Sequence, residues 1–171
     1  MKLASLTGSD NYFENFQVGA VYRHARGKTV EPLENVTFTN LVMNSAAGHF
    51  DEHVMKSHPA GRRVVYGGVT IGIVVGLAMQ DTGENAIREL GLDGIRLTKS
   101  VFHGDTLYAL TEVMETKESH RDDAGEVVFR HYGINQNDEL VFQGDRRVLI
   151  KKRSAWLDRD DFVDAAARER R

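Results

Sequence analysis

The chain has 171 residues, 41% of them hydrophobic and 27% charged, the composition of one soluble globular domain with a sizeable core. A net charge of −3 gives no argument for nucleic acid or an anionic membrane as a partner. The absence of cysteine excludes disulfides, thiolate nucleophiles and cysteine-based metal sites. The opening stretch, MKLASLTGSDNYFENF, holds no apolar run long enough for a secretory signal, so the expectation is a cytoplasmic enzyme or binding protein.

Residues 1–11 read as a polar arm. Tyr12 to Tyr22 predicts an irregular lead-in followed by a strand around Gly19, and Thr29 and Val30 continue as strand up to Pro32. Pro32 to Asn35 reads as a turn and helix start, and from Val36 to Ala47 the apolar positions Val36, Phe38, Leu41, Val42 and Met43 predict one face of an amphipathic helix or a pair of short turns. Gly48 ends it. His49 to Lys56 predicts a second short helix, and Ser57 to Arg63 a loop.

The stretch from Val69 to Met79 carries no charge and is apolar on every side at helical spacing. Such a helix must be wrapped, and it falls well short of the ~20 residues that span a bilayer. It is predicted over about residues 68–80, with Gly67 and Gly68 at its start. The first N–H groups of a helix lack partners and favour negative charge. After Gly83, the segments 95–102, 106–116, 126–135 and 140–151 are rich in Val, Ile, Thr, Phe and Tyr and predict an antiparallel meander. A charged helix over about 155–170 closes the chain, docked through Trp156, Leu157 and Phe162. The whole is read as a single α+β domain over residues 1–171, its core about 12–152, with the sheet wrapped around the apolar helix.

His49 and His53 lie four apart, but Phe50 stands where a zinc protease has its glutamate, so no metal site is expected. His53, His58 and His120 read as surface residues. The run Asn44 to Glu52 sets an amide, an imidazole and two carboxylates close together, and the imidazole can take a proton from water near neutral pH.

The order of these segments resembles the MaoC-like dehydratases, which include the R-specific enoyl-CoA hydratases and have the hot-dog fold. Their signature is Gly-Asp-x-Asn-Pro-x-His-x-Asp, then His-Gly opening the central helix, then Pro-Val-Phe-x-Gly-Asp-Thr-Leu. Here His49-Phe50-Asp51, Tyr66-Gly67 and Ser100 to Leu107 (SVFHGDTL) fill those places. The family's catalytic Asp falls on Asn44, and its Asn-Pro on Ala46-Ala47. With HARG, NSAAGHF, YGG and GLAMQDT, this pattern is similar to the mesaconyl-CoA hydratase subgroup. The resemblance implies a hydro-lyase acting on an enoyl-CoA, with mesaconyl-CoA or itaconyl-CoA as candidate substrates. It also implies His49 as general base and acid, the Gly67 N–H as oxyanion donor, and Asn44 as the group that positions water. Arg62, Arg63, Tyr66 and Gly68 are the expected substrate-binding residues, and Lys151, Lys152 and Arg153 are candidates for the CoA phosphates. No cofactor is expected beyond the CoA of the substrate, no nucleic-acid or membrane partner, and a homodimer or higher homo-oligomer. An acyl-CoA thioesterase and a non-catalytic acyl-CoA-binding protein are the alternatives on the same fold.

Overall fold

The computed structural model describes residues 2–3 and 11–156. Six strands form one sheet: β1 (Lys2–Leu3), β2 (Val21–Thr29), β3 (Ala86–Leu97), β4 (Thr106–Glu118), β5 (Ala124–Ile134) and β6 (Leu140–Lys151). Their order across the sheet is β1-β2-β4-β5-β6-β3. The β1–β2 pair is parallel and every other pair antiparallel. The helices are α1 (Pro32–Leu41), α2 (Ala47–Phe50), α3 (Glu52–Met55), α4 (Gly67–Thr82) and α5 (Arg153–Trp156). None of them is long and apolar enough to cross a membrane.

Alternation puts one face of the sheet against α4. Leu107, Ala109, Thr111 and Val113 of β4 are fully buried, as are Val127, Phe129 and His131 of β5. Successive strand residues point to opposite faces, so these odd-numbered positions share the inner one. One core cluster joins α4 to the sheet through Val69, Val74, Leu107, Val141 and Phe142. A second, around Phe16, Val113, Phe129 and Ile150, closes the other end. Val74 is fully buried, and burying a valine contributes about 1.5–3 kcal/mol. Gly133 of β5 lies directly beneath it, where a Cβ would collide with the Val74 side chain. Glycine there lets the helix approach the sheet closely.

Three expectations need correction. The helix that starts at Pro32 is α1, which ends at Leu41 instead of continuing to Ala47, and its buried residues are Asn35 and Thr39. The apolar set expected inside is partly outside: Leu41 is 76% exposed and Met43 89%. The reason is the work done by Asn35, described below, which turns the polar side of the helix inward. The second short helix is two single turns, α2 and α3. Asp51 separates them in an extended conformation, and its side chain accepts from the Val54 N–H at 2.9 Å. The strand placed at 95–102 is in fact the end of a longer one. β3 begins at Ala86, stops at Leu97, and leaves only an isolated bridge between Val64 and Phe102.

The apolar helix is also less enclosed than its composition requires. Within this chain Gly72, Gly76 and Met79 of α4 are exposed. Residues 4–10 of the polar arm, and the charged helix expected beyond Trp156, lie outside the described residues.

Candidate active site

His49 sits on the single-turn α2, and backbone and side-chain bonds lock it in place. The Val64 N–H donates to the Gly48 carbonyl at 3.0 Å, and His49 Nδ1 donates back to the Val64 carbonyl at 2.8 Å. A carbonyl only accepts, so Nδ1 carries the proton of the neutral ring and Nε2 keeps its lone pair. The Tyr66 ring packs edge-on at 5.5 Å from the imidazole, and Phe38 lies 6.2 Å beyond Tyr66.

Asn35 joins this loop to the start of α4. Its Nδ2 donates to the His49 carbonyl at 3.3 Å, and its Oδ1 accepts from the Tyr66 N–H at 2.8 Å. It is completely buried. The side chain therefore fixes the distance between the imidazole and the N-terminus of α4. Thr39, one turn further on, donates to the Asn35 carbonyl at 2.5 Å. Sequence reasoning missed Asn35; the available signal was this polar pair, four residues apart, on the side of the helix opposite its apolar residues.

At α4 the first helix-closing bonds come from Val69 and Thr70, both to the Tyr66 carbonyl. The N–H groups of Gly67 and Gly68 precede them, in the place where helix donors have no intrahelical acceptor. Neither glycine has room for a side chain: a Cβ at Gly67 would strike Leu97, and one at Gly68 the Tyr66 ring. A hollow of about 220 Å³ opens beside Gly68, walled by Phe38, Val69, Gly72 and Lys28. A groove of about 410 Å³ continues from it along Gly72 and Gly76, with Arg26 and Lys28 on its other bank.

Asn44 follows the left-handed Met43 (φ 57°) that ends α1. Its Oδ1 accepts from the Ala46 N–H at 3.0 Å, which orients the amide beside a surface depression shared with Phe50. The two arginines point to other partners. Arg63 donates to Glu52 at 2.8 Å, and the Arg62 guanidinium stacks 3.9 Å above the Phe102 ring. Lys152 pairs with Glu118, and the Arg153 guanidinium lies over the Tyr12 ring. Among the described residues no group of three or more His, Cys, Asp or Glu side chains is placed to hold a metal ion.

The opposite end of α4, about 21 Å away at 1.5 Å per residue, is a buried polar chain. Asp81 Oδ2 accepts from His24 Nδ1 at 2.6 Å, His24 Nε2 meets the Thr111 hydroxyl at 2.7 Å, and Thr111 meets His131 Nδ1 at 2.7 Å. Burial outweighs the pull of Asp81 and lowers the His24 pKa. Burial, then the Arg146 and His24 charges, push His131 down to about 3. Arg146 in turn donates to the Thr82 hydroxyl at 3.0 Å and the Thr82 carbonyl at 3.3 Å, at the negative end of the helix dipole.

Comparison with known proteins agrees with this architecture. A mesaconyl-CoA hydratase of Haloarcula marismortui is 30% identical over 152 residues, covering 82% of this chain and 42% of its own length. The solved structure of a MaoC domain protein dehydratase from Chloroflexus aurantiacus superposes with a TM-score of 0.79 at 29% identity, covering 85% of this chain and 46% of that one. A Mycobacterium tuberculosis protein with a double hot-dog fold superposes at a TM-score of 0.75 and 22% identity, covering 82% and 44% of the two chains. The chain spans less than half the length of the curated relatives it matches. The family model of the mesaconyl-CoA hydratases matches residues 6–152, from before the first helix to the last strand. A match of that extent decides the family: this hot-dog chain belongs to the mesaconyl-CoA hydratases.

Proposed function

We propose that the protein catalyses the reversible addition of water to an enoyl-CoA thioester, with a branched C5 dicarboxylic acyl group such as mesaconyl or itaconyl. The observation that carries this reading is the His49 Nδ1 bond to the Val64 carbonyl, which puts the ring proton on Nδ1 and leaves the lone pair on Nε2 as a base beside a helix N-terminus. His49 Nε2 takes a proton from water as the water oxygen bonds to C3 of the substrate. The C2–C3 π electrons move toward the carbonyl, and charge builds on the thioester oxygen. The Gly67 N–H, with that of Gly68, receives this charge; one such preorganised donor is worth about 3–4 kcal/mol of barrier. The imidazolium, still bonded to Val64, then returns the proton to C2. Asn44 cannot ionise near neutral pH and serves by holding the water through its amide. Tyr66 and Gly68 shape the seat of the thioester, and Arg62 and Arg63 stand by for the distal carboxylate. The long pantetheine arm fits the groove along Gly72 and Gly76. The reaction so drawn uses no cofactor beyond the CoA of its substrate.

A homodimer belongs to the same proposal. β3 is an edge strand with exposed Leu90, Leu92, Ile95 and Leu97, next to the exposed Met79 of α4. An apolar edge of this kind invites pairing with a second chain.

The test is an assay of the purified protein on crotonyl-, mesaconyl- and itaconyl-CoA, with free CoA followed in parallel. Water addition that falls by about 10²–10⁴-fold in a folded His49→Ala variant is the expected result. Release of CoA without hydration would replace this reading with a thioesterase, and full activity in His49→Ala would remove His49 from the mechanism.

A further inference from the structure

We propose that Arg26, carried on a bulge of β2 with Lys28 beside it, anchors the diphosphate of CoA, so that the substrate lies along α4 with its nucleotide toward the Gln80 end. This placement rests on the hydration reading above, which seats the thioester at Gly67.

The strand is built to present that side chain. The pairing of β2 with β4 steps from Arg23 opposite Leu110 to Gly27 opposite Tyr108, so His24, Ala25 and Arg26 together face Ala109. A bulge of this kind re-aims side chains that a regular strand would alternate. His24 goes inward to Asp81 and Thr111, while Ala25, Arg26 and Gly27 lie exposed along the groove. Lys28 stands where the hollow beside Gly68 opens into that groove, since it lines both.

Charge marks the same place. Arg26 has no acidic partner among the described residues, and a guanidinium can give a phosphate two parallel N–H bonds. Lys28 pairs with Glu34 at 2.6 Å, but both side chains are open to solvent, and such a pair is weak enough to yield to a diphosphate. The one carboxylate that lines the groove, Asp81, is 5% exposed and accepts from His24 at 2.6 Å.

Length chooses between two sets of cations. About thirteen bonds separate the thioester sulfur of a CoA ester from its first phosphorus, which at ~3.3–3.6 Å per three bonds of extended chain reaches about 14–16 Å. Along α4, Gly76 lies about 12 Å from Gly68 and Gln80 about 18 Å. β2 runs back beside the helix, with His24 meeting Asp81 and Lys28 lining the hollow at Gly68, so Arg26 falls between those two levels. The arm reaches it. Lys151, in contrast, donates its N–H to the Asn85 carbonyl at 2.9 Å, at the far end of α4 and about 21 Å from Gly68. The basic run 151–153 is therefore too distant for the diphosphate.

The experiment titrates CoA, dephospho-CoA and pantetheine calorimetrically into the wild type, Arg26→Gln, Arg26→Lys and Arg23→Gln. Dephospho-CoA keeps the diphosphate and lacks only the 3′-phosphate, whereas pantetheine has neither. The wild type should bind CoA and dephospho-CoA about equally and pantetheine at least about 10-fold more weakly, the worth of a charge-assisted contact. Arg26→Gln should weaken both nucleotides about 10-fold, bring them toward pantetheine and flatten the salt dependence of CoA binding. Arg26→Lys should recover part of the loss. Arg23, exposed on the same strand and outside the groove, controls for net charge. Thermal unfolding checks that the variants are folded. Undiminished CoA binding in folded Arg26→Gln, an equal loss in Arg23→Gln, or dephospho-CoA no tighter than pantetheine each overturns the anchor. Assaying the wild type on crotonyl-CoA separates the two readings. Hydration with CoA binding indifferent to Arg26 sinks the anchor and spares hydration. CoA binding that depends on Arg26, with no thioester hydrated, supports the anchor and sinks hydration.

Discussion

The two ends of α4 use the same residue types to opposite purposes. At the C-terminal end, His24 and His131 have three of their four ring nitrogens in or beside a closed chain with Asp81 and Thr111, and both are buried. At the N-terminal end His49 has one nitrogen tied to a backbone carbonyl and the other without a partner among the described residues, in a partly open loop. A histidine buried among side chains in the interior is pushed toward its neutral form and serves to attach the helix to the sheet. One anchored through the main chain on one side only keeps a lone pair for chemistry. Burial and hydrogen bonding, rather than residue identity, separate structure from function here.

The largest blow to this contrast would come from Asn35, which holds the reactive end together. Asn35→Leu leaves the Tyr66 N–H without its acceptor and frees the His49 carbonyl. A stability loss of about 1–3 kcal/mol is expected in urea unfolding. In the hydration assay kcat should fall about 10²-fold with KM little altered, because misplacement acts on the reacting geometry. Equal changes in kcat and KM would mean that Asn35 only supports the fold.

The other end is sharpened by acid. An unfolded histidine titrates near 6.5, whereas folded His131 does so at about 3. Between those values the unfolded state binds the proton and the folded state does not, so stability falls as pH drops through that window. The slope from this one group approaches roughly 1.4 kcal/mol per pH unit. His131→Gln should be less stable at pH 7 yet show a shallower decline between pH 6.5 and 4. An identical slope in the variant would show that His131 is already charged in the native state.

The smallest effect concerns the face of α4 that joins the two ends. Nothing lies within 4 Å of the place a Cβ would occupy at Gly76. Gly76→Ala should therefore raise stability by about 0.5–1 kcal/mol while raising KM, if the groove receives the pantetheine arm. A gain in stability with no change in KM would leave the groove without a part in binding.

How much of this was legible in the sequence varied with the kind of signal. The central helix was foreseen over 68–80 and runs from Gly67 to Thr82, because an uncharged apolar run has few alternatives. β6 was foreseen at its observed limits, Leu140 to Lys151. β3 was largely missed: Arg88, Glu89, Asp93 and Arg96 break its alternation, and its pairing with β6 shifts register three times. An edge strand with one open side has no need of a clean pattern. The inward turn of Asn35 was invisible because propensity places asparagine outside, and only the tertiary bonds to His49 and Tyr66 reverse that. The residue types at the candidate site could be picked out, but the partners of Arg62 and Arg63 could not, since Phe102 and Glu52 approach from other elements.

The bond from His49 to Val64 uses a main-chain oxygen, and no substitution at position 64 short of altering the backbone path can delete it. The tautomer of the imidazole is thus insulated from drift in the surrounding side chains. Side chains that wall the hollow beside Gly68, Phe38 among them, are free to vary without removing that bond. A scaffold built this way can acquire new substrates one side chain at a time.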